Sequence, residues 1–212
     1  MDIQKIYRPF LIYFRRQRLE FLYKLFSINE STNLLDVGGD LFFWELAKNL
    51  GFPSPQVTIV NLYSTQVDLP ENITWVVGNG KKLPFENMAF DLAFSNSVIE
   101  HLYDWESQLE FANEIKRIAP KYFVQTPSKI FPVEPHFLTP FIHYMPKNIQ
   151  KNLVRNFTLW GIITRPNQEY CEKMVAELRL LSSQEMSELF ANATVEIEKF
   201  AGLEKSIIAM KN

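Results

Sequence analysis

From residue 33 onward, short apolar runs alternate with stretches of helical periodicity. The apolar runs Leu34-Leu35-Asp36-Val37, Val57-Thr58-Ile59-Val60 and Ile73-Thr74-Trp75-Val76-Val77 have strand length, as do residues 90–95 and 121–125. Between them, apolar positions at helical spacing predict one helix running through Ala47 and another over 104–118. Such alternation builds βαβ units, so the prediction is an α/β fold with a doubly wound, mostly parallel sheet. Residues 195–200 and 206–210 predict two last strands joined at Ala201-Gly202, which completes a seven-stranded sheet with an antiparallel C-terminal hairpin.

Two segments stand outside this pattern. Pro9 suits the first turn of a helix, and residues 10–26 mix aromatic and aliphatic side chains with Arg15, Arg16, Arg18 and Lys24. Residues 9–28 therefore predict an amphipathic helix lying on the domain as a lid; a basic amphipathic helix can also touch a membrane surface. Seven of the 12 prolines fall between residues 120 and 166, where they interrupt strand and helix. Residues 127–181 are read as a helical, proline-rich cap, with helices near 147–156 and 168–178. The regular pattern returns with a helix over 183–191, capped by Ser182 or Ser183.

At 212 residues the chain suits one domain, 1–212, with an elaboration. Its 22 basic and 24 acidic residues nearly balance, so no overall field gathers nucleic acid or an anionic membrane. A single cysteine, Cys171, cannot form an internal disulfide. No leader pattern stands at the start, and no apolar run approaches the roughly 20 residues needed to span a bilayer. A cytoplasmic location is the expectation.

The segment Leu34-Leu35-Asp36-Val37-Gly38-Gly39-Asp40 reads as a strand entering a glycine turn that opens a helix, the nucleotide-binding unit of a doubly wound sheet. A dinucleotide would place its pyrophosphate over this turn, and Asp40 would oppose it, which disfavours an NAD-dependent oxidoreductase. A ligand carrying sulfonium and ammonium charges is favoured instead by Asp36 and Asp40. Three strand ends then resemble the class I S-adenosylmethionine-dependent methyltransferases, particularly the group that methylates small molecules. The first is Leu35-Asp36-Val37-Gly38-Gly39-Asp40; the second is Val60-Asn61-Leu62, 25 residues after Asp36. The third runs from Gly78-Asn79-Gly80 through Ser95-Asn96-Ser97-Val98-Ile99-Glu100-His101. The resemblance covers about residues 30–126. It implies S-adenosyl-L-methionine as cofactor, held by Asp36, Gly38, Gly39, Asp40, Asn61, Leu62, Gly78, Asn79, Gly80, Ser95 and Asn96.

The pattern departs from the family in four places. An acid usually stands where Asn61 and Asn79 are, although an amide oxygen can still accept a hydrogen bond from a ribose hydroxyl or the adenine amine. The second and third glycines of the family turn would fall at Asp40 and Phe42, and a phenylalanine there demands a rearranged turn.

Ligands of open α/β sheets sit beyond the carboxyl ends of the strands, which directs attention to the segments after the fourth and fifth. All three histidines lie from there onward, with Gln125, Thr126 and Glu134. Methyl transfer to a hydroxyl needs alignment, exclusion of water and removal of a proton, a task for which imidazole is suited. His101 and His136 are the candidate catalytic residues, with Glu134 an orienting partner; Gln125, Glu134 and His143 are candidates for binding the acceptor. The spacing of the histidines matches no compact ligand motif, so no metal site is predicted. Phe131, Phe137, Phe141, Tyr144, Phe157 and Trp160 form either a wall for an apolar acceptor or a satellite core of the cap. No basic stripe and no catalytic proline-aromatic tetrad indicates nucleic acid. The expected function is methyl transfer to a small-molecule acceptor, at oxygen; the alternative is an inactive relative serving as a binding or scaffolding protein. The sequence leaves the oligomeric state open.

Overall fold

The computed structural model of the chain describes residues 3–212, with side chains from residue 9 onward. In chain order its elements are α1 (Ile3–Phe26), β1 (Asn33–Val37), α2 (Leu41–Asn49), β2 (Gln56–Asn61), β3 (Ile73–Val77) and β4 (Leu92–Asn96). A 3-10 turn at Ile99–His101 leads to α3 (Trp105–Ile118) and β5 (Lys121–Pro127). The cap follows: β6 (Val133–Glu134), β7 (Thr139–Pro140), a 3-10 turn at Ile142–Tyr144, α4 (Lys147–Phe157), α5 (Leu159–Thr164) and α6 (Gln168–Glu177). α7 (Ser183–Leu189), β8 (Thr194–Phe200) and β9 (Leu203–Lys211) close the chain.

Seven strands make one sheet in the order β3-β2-β1-β4-β5-β9-β8. The first five are parallel, and β9 runs antiparallel to both β5 and β8. The hairpin is therefore threaded inward, its second strand lying between β5 and its first. Burial gives the reason: Ile207, Ile208, Ala209 and Met210 of β9 are buried, whereas β8 carries Glu196, Glu198 and Lys199 and suits an edge. Strand order reverses between β1 and β4, and an open α/β sheet binds its ligands at that point.

Each face of the sheet has its own core. Leu34, Ile59, Phe94 and Phe123 pack against Leu19, Leu22, Tyr23 and Phe26 of α1 and Phe43, Trp44 and Ala47 of α2. On the other face Leu35, Val37, Ala93 and Val124 meet Phe111, Ile115 and Ile118 of α3 and Met186 and Leu189 of α7. The second half of α1 is thus a core helix, and its apolar face is covered by the sheet rather than offered to a membrane. The helix also begins at Ile3, upstream of the expected start, so that Pro9 lies inside it. A proline there forfeits one backbone hydrogen bond, a loss set against the burial of Leu19 and Leu22 further along. Among the described residues no helix is long and apolar enough to cross a membrane.

The cap holds a separate small core of Phe137, Ile142, Val154, Cys171, Val175 and Leu178, with Trp160 packed at its edge. Both readings of its aromatics find examples: Phe137 and Trp160 build this core, Phe131 lines a cavity, and Phe141, Tyr144 and Phe157 are exposed. The short helix α5 is invisible to periodicity because Leu159-Trp160-Gly161-Ile162-Ile163 is an unbroken apolar run around a glycine. Gly161 lets it approach α4, since a Cβ there would lie 2.1 Å from the Val154 carbonyl oxygen. At the return to the main domain Ser182 and Glu185 form a capping box that starts α7.

Candidate active site

The glycine turn is built on Gly38 and Gly39. Gly38 takes φ +79°, a conformation that disfavours a side chain, and its N–H donates to the Val60 carbonyl at 2.7 Å. A Cβ on Gly39 would fall 1.9 Å from Oδ2 of Asp36, so this is the position of closest approach. Asp40 caps α2 by accepting from the Phe43 N–H at 3.3 Å. The Phe42 ring is half-buried, with the Arg15 guanidinium of α1 4.9 Å from its centroid.

Arg15, Asp36, Gly38, Gly39, Asp40 and Asn96 line one small cleft at the switch point. Asp36 is fully buried; its Oδ2 accepts from the Trp44 indole at 2.8 Å, while Oδ1 has no hydrogen-bond partner. Burial pushes its carboxyl up to about 7. Asn61 donates its amide N–H to the Gly39 carbonyl at 3.0 Å, which turns the amide oxygen into the group available as acceptor. Gly78 follows, its N–H bonded to the Asn61 carbonyl at 2.9 Å, and Leu62 is exposed. Asn79 folds its side-chain oxygen onto the Lys81 N–H at 3.0 Å, so any adenine amine would share that oxygen.

Two of the expected cofactor residues have contacts that build the scaffold. Gly80 is where Phe111 and Val37 pack, a Cβ there lying 2.9 Å from each. Ser95 is buried and donates to the Val37 carbonyl at 3.0 Å, tying β4 to β1.

Next to the cleft, and sharing Arg15 and Asn96 with it, lies a cavity of about 590 Å³. α1 supplies Phe10, Leu11 and Phe14, the cap supplies Phe131, Leu138 and Leu159, and β8 supplies Phe200. Polar groups enter from Gln125, His136 and Lys205. Gln125 also accepts from the Ser97 hydroxyl at 3.1 Å, which fixes its amide. His143 is not in this wall; its Nε2 lies 3.1 Å from the Lys129 carbonyl, a bond that braces the cap, while its buried Nδ1 has no hydrogen-bond partner.

His101 and His136 meet across the mouth of the cap, their Nε2 atoms 3.2 Å apart. Glu134, buried on β6, holds His136 Nδ1 at 2.6 Å with one oxygen and accepts the Phe137 N–H at 2.6 Å with the other. Behind them Glu100 is fully buried; its Oε2 accepts from Thr126 at 2.9 Å and its Oε1 has no partner. Burial pushes Glu100 up to about 7 and His101 down to about 4. Burial acts downward on His136 too, but the charge and hydrogen bond of Glu134 outweigh it and leave the imidazole above its ordinary value. Although the three residues show no compact motif in sequence, the fold brings donor atoms of Glu100, His101 and His136 within 4.8 Å of one another.

The arginines of α1 were visible in sequence, but their part in the site was not. Arg18 donates to Asn96 Oδ1 at 2.5 Å and to both oxygens of Glu198, which also accepts from Lys205 at 2.6 Å. The signal that could have shown this is periodicity: Phe10, Phe14 and Arg18 stand at i, i+4 and i+8, which puts a basic residue on the apolar face.

The chain is similar to known proteins in part of its sequence and in its fold. Residues 35–121 match the family described as a methyltransferase domain. The seven-stranded sheet, with its antiparallel last pair, has the Rossmann-like methyltransferase fold. Solved structures share that fold. Magnesium protoporphyrin IX methyltransferase from Synechocystis, with bound S-adenosylhomocysteine, is 11% identical with a TM-score of 0.58, covering 99% of this chain and 86% of that one. A S-adenosylmethionine-dependent methyltransferase from Aquifex aeolicus is 16% identical with a TM-score of 0.51, over 91% and 87% of the two chains. Phosphoethanolamine N-methyltransferase 2 from Haemonchus contortus, bound to S-adenosylmethionine, is 15% identical with a TM-score of 0.57, over 86% of this chain and 38% of that one. No curated protein matches the sequence.

The solved structures of this fold include complexes with S-adenosylmethionine and S-adenosylhomocysteine, and the residues of this cleft fit that cofactor. The orphaned, buried Asp36 oxygen at the cleft floor suits a cation. Arg15 at its rim suits a carboxylate, and the Asn61 amide oxygen suits a hydroxyl.

Proposed function

We propose that the chain transfers a methyl group from S-adenosylmethionine to an oxygen of a small, largely apolar acceptor. The observation that carries this reading is that the cofactor cleft and the 590 Å³ cavity share Arg15 and Asn96, while His136 stands in the cavity wall. Bound cofactor would supply a methyl group already activated on sulfonium. The chain's residues then have three tasks: Asp36 and Arg15 fix the amino-acid end, α1 and the cap exclude water, and the acceptor is aligned against the cleft. A hydroxyl must also lose its proton, and the His101–His136 pair, oriented by Glu134, is the group placed to activate it. That pair favours oxygen over an amine, which attacks as a neutral base without such help. Phe10, Phe14, Phe131 and Phe200 select an apolar body, and Gln125 offers a directional hydrogen bond.

The test has two stages. Calorimetric titration with S-adenosylhomocysteine should give one site per chain, weakened at least tenfold in Asp36→Asn and Arg15→Met. Incubation with S-adenosylmethionine and a panel of apolar alcohols and phenols should then yield a methyl ether by mass spectrometry, lost in His136→Asn without change in S-adenosylhomocysteine affinity. Absence of binding at millimolar ligand would refute cofactor use; binding with no turnover of any acceptor would favour the inactive, scaffolding alternative.

A further inference from the structure

We infer that Glu100, His101 and His136 form a binding site for one divalent transition-metal ion of the zinc class. The three side chains come from two separate loops, the 3-10 turn after β4 and the segment between β6 and β7, and converge with all donor atoms within 4.8 Å. Two imidazole Nε2 atoms face each other at 3.2 Å. Two nitrogens bound to one tetrahedral zinc ion lie about 3.4 Å apart, given Zn–N bonds of roughly 2.1 Å. The existing separation thus needs almost no movement to accept an ion.

Two further observations point the same way. Glu100 is wholly buried, and its Oε1 has no hydrogen-bond partner. A buried carboxylate oxygen left without a donor is costly, and a cation between it and the imidazoles removes that cost. Glu134 supplies the outer support: its oxygen at 2.6 Å from His136 Nδ1 fixes the tautomer that leaves Nε2 as a lone-pair donor. Thr126 does the same for the other oxygen of Glu100, at 2.9 Å. Imidazole with one carboxylate is a borderline donor set, which suits zinc, cobalt or iron(II) better than magnesium or calcium.

Three protein ligands leave coordination positions open, as in metal sites that bind a further molecule. His136 belongs both to this cluster and to the cavity wall, so the open side is one side chain from the acceptor space. Ion binding stands by itself; the ion's use as the anchor for an acceptor oxygen rests on the function proposed above. In that use the two imidazoles activate the hydroxyl as ligands of the ion.

The experiment uses full-length, untagged protein stripped with a chelator and titrated with Co²⁺. One equivalent should bind, with visible d–d absorption in the intensity range of four- or five-coordinate cobalt, and Zn²⁺ should displace it. His101→Asn and His136→Asn should abolish the spectrum while circular dichroism stays unchanged. Glu134→Gln should retain the spectrum and weaken the affinity about 10- to 100-fold, as loss of an outer partner does. If folded wild-type protein shows no stoichiometric cobalt spectrum, or if both histidine variants keep it, the inference is overturned. S-adenosylhomocysteine binding, measured on the same stripped protein, reports on the cofactor cleft alone and so separates failure of the ion site from failure of the methyltransferase reading.

Discussion

Arg18 on α1 and Glu198 on β8, 180 positions apart, form a two-pronged ion pair with contacts of 2.9 and 3.0 Å. The pair lies beside the cofactor cleft, because the same guanidinium also bonds Asn96 at the end of β4. One interaction therefore pins the helix that roofs both the cleft and the cavity. Lys205, 3.7 Å from the centre of the Phe14 ring, extends the clamp.

Arg18→Met should lower unfolding free energy by about 3 kcal/mol in urea denaturation, the low end for breaking a buried ion pair, since Lys205 still faces Glu198. S-adenosylhomocysteine should also bind more weakly. A loss below half this size with unchanged affinity would mean that packing alone holds α1.

Asp36 makes the cofactor cleft sensitive to pH. Its carboxyl is raised to about 7 by burial, so folding favours the protonated form and the ionised form carries a cost. For the unliganded protein, this group's contribution to stability is greatest at low pH and is lost as pH rises towards 7. A ligand ammonium reverses the preference. Affinity for S-adenosylhomocysteine should rise as pH climbs from about 5.5 to about 7.5, with proton release on binding at the lower end. Calorimetry in buffers of different ionisation enthalpy checks this, and Asp36→Asn should flatten the profile.

Gly39→Ala tests the close approach in the turn. The added methyl would meet the Asp36 carboxylate at 1.9 Å. The variant should lose about 1–3 kcal/mol of stability, the usual cost of overpacking, together with cofactor affinity. Retention of both would show that the turn relaxes.

Two phenylalanines of the cap should separate stability from recognition. Phe137 is wholly buried in the cap's own core, so Phe137→Ala should cost about 3–5 kcal/mol. Phe131 lines the cavity, and Phe131→Ala should leave the melting temperature nearly unchanged while raising KM for an apolar acceptor. Steady-state kinetics beside thermal denaturation would reveal a reversal of these roles.

Much of the scaffold was readable from local pattern. The five parallel strands and the helices from Trp105 and Ser183 follow from hydrophobic periodicity and capping residues such as Asp104 and Ser182, which act within a few positions of the chain. The glycine turn at Gly38-Gly39 was legible because a positive φ and a close approach each restrict the residue type at their own position. The placement of Gly80 and Ser95 was not, since what fills the space beside them comes from α3 and β1.

By itself, the sequence determined the strands of the main sheet and most of its helices, the glycine turn of the first unit and the presence of a proline-rich segment, because each is written in neighbouring residues. Only the tertiary structure decided that Arg18 reaches Glu198, that Gln125 and His136 face one cavity whereas His143 braces a loop, and that Glu100, His101 and His136 converge. Those relations join segments from about ten residues to 180 residues apart, and sequence spacing carries no record of a distance that is set by how a sheet twists and how a cap folds back over it.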